Sequence, residues 1–123
     1  MMQASNAWKG IFVFALTLYA GIGAAQSYPA KPVRVISSGV GGGADISARL
    51  LAPGLSEALG QPLVADNRGG GGGTIAADLV AKSTGDGYTL MMNHQGMAFN
   101  ATLYAKLPFD TLKDFATIAM VGT

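Results

Sequence analysis

The rhythm of hydrophobic and polar positions changes several times along this chain. Ile11–Ala20 (IFVFALTLYA) is a run dominated by apolar groups, preceded by Lys9 as the only charge and followed by the small residues Gly21–Ala25 (GIGAA), which end in the small-x-small pattern Gly23-Ala24-Ala25. Basic residue, short apolar run and small-residue cleavage site are the order of a secretory signal. A bilayer-spanning helix needs about 20 apolar residues, so residues 1–25 read as a cleaved leader and not as a lasting anchor. After a Pro-containing lead-in (QSYPAKP), the pattern becomes regular. Val33–Ser37 (VRVIS) is a short β-branched run and reads as a buried strand. Ser38–Asp45 (SGVGGGAD) is a glycine loop. Ile46–Leu59 carries Ile46, Leu50, Leu51, Leu55, Ala58 and Leu59 near one helical face, with Pro53-Gly54 expected to kink or restart the helix and Gly60 as its stop.

The same alternation repeats downstream. Pro62–Ala65 reads as a second strand, Asp66–Gly73 (DNRGGGGG) as a second glycine loop, and Thr74 as the N-cap of a helix to about Lys82 with Ile75, Leu79 and Val80 inward. Ser83–Gly87 is a turn, Tyr88–Met92 a third strand, Asn93–Met97 a loop, and Phe99–Tyr104 a short helix. Leu107–Asp114 is a polar connection, and Phe115–Val121 (FATIAMV) reads as a fourth strand. Strands alternating with helices predict an α/β fold: a mainly parallel sheet flanked by helices. Ligands of such sheets bind beyond the carboxyl ends of the strands. Both glycine loops and the Asn93–Met97 loop follow strands, so all three should open on one edge.

Composition narrows the function. Half of the 123 residues are hydrophobic and 12% are charged, which excludes a disordered tail and disfavours a nucleic-acid arm. The formal charge of +1 becomes zero once Lys9 leaves with the leader. The chain has no cysteine, so it has no lipid-anchored N-terminal Cys, disulfide framework, thiolate zinc site or Cys nucleophile. A single histidine, His94, cannot make a metal site, and no Ser-His-Asp set is suggested.

The glycines carry the candidate chemistry. Gly41, Gly42 and Gly43, and Gly69 through Gly73, let backbone N–H groups approach a ligand closely. Each loop feeds a helix N-terminus, where unpaired N–H groups and the helix dipole favour an anion. One terminus contributes on the order of 0.3–1 kcal/mol, up to roughly 2 when partly buried. Micromolar affinity needs about 8 kcal/mol, so two converging loops suit anion binding better than one. Tight turns alone are the plainer use of such glycines. Asp45 either caps the helix that follows or touches a ligand amine, hydroxyl or water. Arg68 either pairs with an anion or is solvated. His94 lines a loop.

A second reading comes from Gly39-Val40-Gly41-Gly42-Gly43-Ala44, which fits G-x-G-x-x-A between a strand and a helix, with Asp66 where a dinucleotide fold places its ribose-binding acid. The leader opposes it, because nicotinamide cofactors are cytoplasmic as a rule. The second glycine loop also has no place in that motif.

The segments YPAKPVRVI, GGGAD, LSEALGQPLVADNRGGGGGTIAAD, VAKSTGDGYTL and LYAKLPFDTLKDF together resemble the Bug-type receptors of tripartite tricarboxylate transporters, over about Tyr28 to Val121. The resemblance implies a two-lobed periplasmic-binding-protein type II fold that binds a di- or tricarboxylate, or a similar organic acid, and presents it to membrane subunits of a transporter. It implies no catalysis, cofactor or nucleic-acid partner, and no membrane insertion once the leader is cleaved. Carried onto this chain, the ligand is met by backbone groups and bridging waters of the two glycine loops: Gly41, Gly42, Gly43, Ala44 and Asp45 in the first, Gly70, Gly71, Gly72, Gly73 and Thr74 in the second. The loop of His94, Gln95 and Gly96 adds polar contacts. Two departures stand out. Where the family has a stretch of the sort PFPPGG, this chain reads Ser37-Ser38-Gly39-Val40, a more flexible loop. The family is also two to three times longer, so residues 26–123 are expected to be a truncated first lobe, either part of a receptor or a non-functional remnant.

Overall fold

The computed structural model describes residues 27–122; the expected leader, 1–25, lies outside them. Strand β1, Val33–Ser37, is followed by helix α1, Gly43–Leu59, strand β2, Leu63–Asn67, helix α2, Thr74–Ala81, strand β3, Thr89–Met91, and helix α3, Gly96–Leu103. The three strands form one parallel sheet in the order β2-β1-β3. Val33 pairs with Leu63 and Ser37 with Asn67 on one side, and Arg34 with Thr89 and Ile36 with Met91 on the other. Parallel strands need a crossover, which α1 and α2 supply. The second crossover returns over β1, so right-handed connections place the two helices on opposite faces. Accordingly α1 packs on β2 and β1, and α2 on β3 and β1.

The central strand carries the core. Val33, Val35, Ile36 and Ser37 are buried, facing Ala44 and Ala48 of α1 and Ala76 and Ala77 of α2. Alanine at these helix positions lets the helices lie close on the β-branched strand. The layered α/β architecture is therefore as expected from the alternation, but several elements differ in detail.

Helix α1 begins at Gly43, three residues before the expected start, and runs unbroken through Pro53 to Gly60, whose φ of 66° ends it as expected. Pro53 is exposed, and the Arg49 carbonyl that loses its donor there sits where water can reach it. The inward face also differs. Ala44, Asp45 and Ala48 point in, while Ile46 and Leu50 point out, Leu50 with 75% of its surface exposed. The hydrogen bonds that draw Asp45 inward turn its neighbour Ile46, and with it Leu50, toward solvent. Leu51 and Leu59 remain half-buried.

The N-cap of α2 is Gly73, not Thr74, because Thr74 already has helical angles (φ −66°, ψ −29°). A hydrogen-bonded turn over Gly71–Gly73 leads into it. Ala76 and Ala77 are its buried residues, whereas Ile75 is exposed. Helix α3 starts at Gly96 instead of Phe99, because the Gly96 N–H is taken up by His94 Nδ1 at 2.9 Å. The expected fourth strand does not form: Phe115–Val121 pairs with neither outer strand, and Ile118, Met120 and Val121 are exposed. Without a ladder partner its apolar side chains have no sheet to bury against. Phe115 does meet the buried Phe109 edge to face, with ring centroids 5.6 Å apart.

Candidate functional site

The carboxyl ends of all three strands deliver loops to one edge of the sheet, as the order of elements requires. The loop after β1 is fastened by a polar cluster at the end of β2. Asn67 donates Nδ2 to Ser37 Oγ at 2.6 Å and to Asp45 Oδ1 at 2.9 Å, and its Oδ1 accepts from Arg49 Nη2 at 2.9 Å. Asp45 is only 2% exposed. Its Oδ1 also accepts from Arg49 Nε at 2.9 Å, and its Oδ2 accepts the Gly41 N–H at 2.9 Å. Asp45 is therefore the third residue of α1 reaching back over the helix start, much as the acid of a capping box does, and both oxygens are occupied. The Gly41 N–H, then Asn67 and Arg49, hold its carboxyl below the usual carboxylate range despite burial.

With Asp45 holding Gly41, the amides of Gly42, Gly43 and Ala44 at the start of α1 have no hydrogen-bond acceptor among the described residues. The first intrahelical bond is Ile46 N–H to Gly42 O at 2.9 Å. These are the orphan donors of a helix start, at the exposed rim of the sheet.

The second loop lies against the first. Arg68 N–H donates to Ser37 O at 2.8 Å. A Cβ on Gly73 would sit 3.1 Å from that of Ser38, and Gly73 has φ +93°, so only glycine lets the loops come this near. Gly73 N–H donates to Gly70 O at 3.0 Å. On its far side the turn is held by α3: Asn100 Nδ2 donates to Gly72 O at 2.8 Å and Tyr104 Oη to Gly71 O at 3.2 Å. The third loop leaves β3 with Met92 N–H bonded to Ile36 O at 2.9 Å. His94 and Gln95 are exposed beyond it, and Gly96 opens α3. With its Nδ1 accepting from Gly96, a neutral His94 ring carries its proton on Nε2.

The loops containing Gly41–Asp45 and Gly70–Thr74 are thus brought together, and the His94–Gly96 loop shares their edge. Arg68 is not free: its guanidinium pairs with Asp66 through two 3.1 Å contacts, and Arg34 bonds the same carboxylate. Arg34 and then Arg68 hold Asp66 below the usual carboxylate range. Sequence reasoning missed Asn67, Asn100 and Tyr104. The sequence places Asn67 within the second glycine loop, and its position opposite Ser37 at the end of β2 is seen only in the structure.

The sheet also separates the two sequence readings. A dinucleotide fold extends its sheet beyond β2 with the third strand, whereas here β3 lies on the other side of β1. Asp66, the candidate ribose acid, is already shared by two arginines.

Comparison with known proteins agrees. Residues 47–123 match the family described as TctC, tripartite tricarboxylate transporter family receptor. The chain belongs to this receptor family. Protein BugT of Bordetella pertussis is 39% identical over 116 residues, covering 92% of this chain and 35% of BugT. Among solved structures, the periplasmic binding protein BugD superposes with a TM-score of 0.68 at 35% identity, over 72% of this chain and 30% of BugD. R. palustris Rpa4515 with adipate gives 0.64 at 40%, over 68% and 29%. The chain thus spans about a third of the length of these relatives. Its fold is that of a periplasmic-binding-protein lobe. The TctC match covers the second and third loops, while Gly41–Asp45 lie just before it.

Proposed function

We propose that this chain forms the anion-meeting edge of an extracytoplasmic solute receptor, which takes a small organic carboxylate and presents it to the membrane subunits of a tripartite transporter. The observation that carries the reading is the fastening of two glycine loops to each other over the carboxyl edge of the sheet, with the Gly42, Gly43 and Ala44 amides left without acceptors. A carboxylate accepts hydrogen bonds only, so a cluster of backbone donors with no neighbouring free carboxylate suits it. Asp45 is turned inward and neutralised by Arg49, so it shapes the first loop without repelling an anion; its role is positioning. The Gly70–Thr74 loop supplies the facing donors, and His94, Gln95 and Gly96 flank the ligand. The relative described as a periplasmic binding protein supports the compartment, and the one solved with adipate supports the ligand class. Residues 1–25 serve as the export leader. Binding and release need no catalytic group.

A thermal-shift series tests this. The purified chain is expected to melt at a higher temperature in a dose-dependent way with a dicarboxylate such as adipate or a tricarboxylate such as citrate, and not with the matching diamide. A shift confined to NAD or NADP would sink the reading in favour of a dinucleotide site.

A further inference from the structure

The Gly70–Gly73 turn is gripped through its carbonyls, and the grip comes from outside both glycine loops. Asn100, 7% exposed inside α3, donates to Gly72 O, and Tyr104 at the end of the same helix donates to Gly71 O. The Thr74 N–H shares Gly71 O with Tyr104. In a trans peptide, C=O and N–H point in opposite directions. A donor that holds Gly71 O therefore turns the Gly72 N–H away from α3. A donor that holds Gly72 O turns the Gly73 N–H into its bond with Gly70 O. The Gly72 N–H itself has no acceptor among the described residues.

A peptide plane between two glycines rotates with little steric resistance, because neither residue has a Cβ. Gly71 and Gly72 have φ of +56° and +62°, angles that nothing but their hydrogen bonds and neighbours maintain. Were the Gly71–Gly72 plane to turn over, a carbonyl oxygen would stand where the N–H had been, and it would repel an anion.

We propose that Tyr104 and Asn100 are positioning residues, Tyr104 holding the Gly71–Gly72 plane through Gly71 O and Asn100 bracing the adjoining Gly72–Gly73 plane through Gly72 O, so that the glycine turn presents a donor and not an acceptor to the carboxylate. Helix α3 thereby sets the ligand preference of a loop to which it contributes no backbone. The ligand part rests on the receptor reading above; the lock is a property of the chain without ligand.

Asn100→Asp keeps the side-chain shape and removes the donor, and Tyr104→Phe removes only a hydroxyl at a half-exposed position. Both are made in the full chain and read by amide proton–nitrogen spectra without ligand, then by calorimetric titration with adipate. The parent is expected to give one sharp resonance for each amide from Gly71 to Gly73. Each variant is expected to broaden or double those resonances while β1 and β3 keep theirs, and to weaken adipate binding by roughly three- to ten-fold, the loss of one hydrogen bond. Should Asn100→Asp fail to fold, Tyr104→Phe decides alone. Glycine resonances unchanged in the folded variants would overturn the proposal, as would changes spread evenly over the sheet. A parent that binds no carboxylate would defeat the receptor reading, and the ligand-free spectra would still decide the lock.

Discussion

Gly73 lies against the first glycine loop, and its side is closed by Ser38. Alanine there would hold a left-handed φ at a cost of about 1–2 kcal/mol and press a methyl group against Ser38. Gly73→Ala is therefore expected to lower unfolding stability by at least that amount in urea titration and to separate the loops; an unchanged midpoint would mean that the loops are not packed this way. The need for glycine was legible in the sequence because so few residues can occupy a strand–loop–helix turn of this kind. The partners that fix the loops were not. Asn67, Asn100 and Tyr104 act at sequence separations of 28 to 33 residues in their bonds to Gly39, Gly72 and Gly71, and nothing local marks a polar side chain as the clasp of a distant carbonyl. Asp45 was open to two roles, and the bonds it accepts from Gly41, Arg49 and Asn67 fit the brace.

Helix α1 gives the corresponding lesson at the scale of an element. The helical spacing of Ile46, Leu50, Leu51 and Leu55 suggested an apolar face directed inward, yet the buried residues of the helix are Ala44, Asp45 and Ala48. Periodicity established that a helix exists. It did not establish the helix's rotation, because the anchor of that rotation is a polar network and not a hydrophobic one. Proline was misleading in a similar way: Pro53 lies inside a continuous helix at an exposed position, with one hydrogen bond forgone. Pro53→Ala restores that bond and removes the ring clash, and is expected to stabilise the chain by about 1–3 kcal/mol, read as a higher melting temperature. No gain would indicate that proline's restriction of the unfolded chain offsets the lost bond. The missing fourth strand is the opposite case, since FATIAMV has strand composition but no partner among the described residues.

For the molecule as a whole, charge is held in local sets, and this gives stability a direction with pH. Asp45, Asp66 and Asp110 are each held below the usual carboxylate range, first by the Gly41 N–H, by Arg34 and by the Leu112 N–H respectively. A group whose folded pKa lies below its unfolded value stabilises the fold above the unfolded value, about 3.9 for Asp, and loses that contribution as pH falls through the folded value. Melting temperature is thus expected to be level from neutral pH down to about 5 and to drop below about 4. Asp45→Asn should flatten part of that drop; a profile identical to the parent would remove Asp45 from the acid-sensitive set.

The sheet order has a consequence for how the chain is assembled in time. Val33 meets Leu63, and Arg34 meets Thr89, so β1, made before the other described strands, gains its second neighbour only when β3 has been made. Until β3 has been synthesised, VRVIS remains a nascent apolar strand with an open edge, the kind of segment that pairs with the wrong chain. A polypeptide that must wait in this way benefits from being kept unfolded by a holding partner, and a stalled or prematurely released chain ending before Thr89 would be a substrate for aggregation.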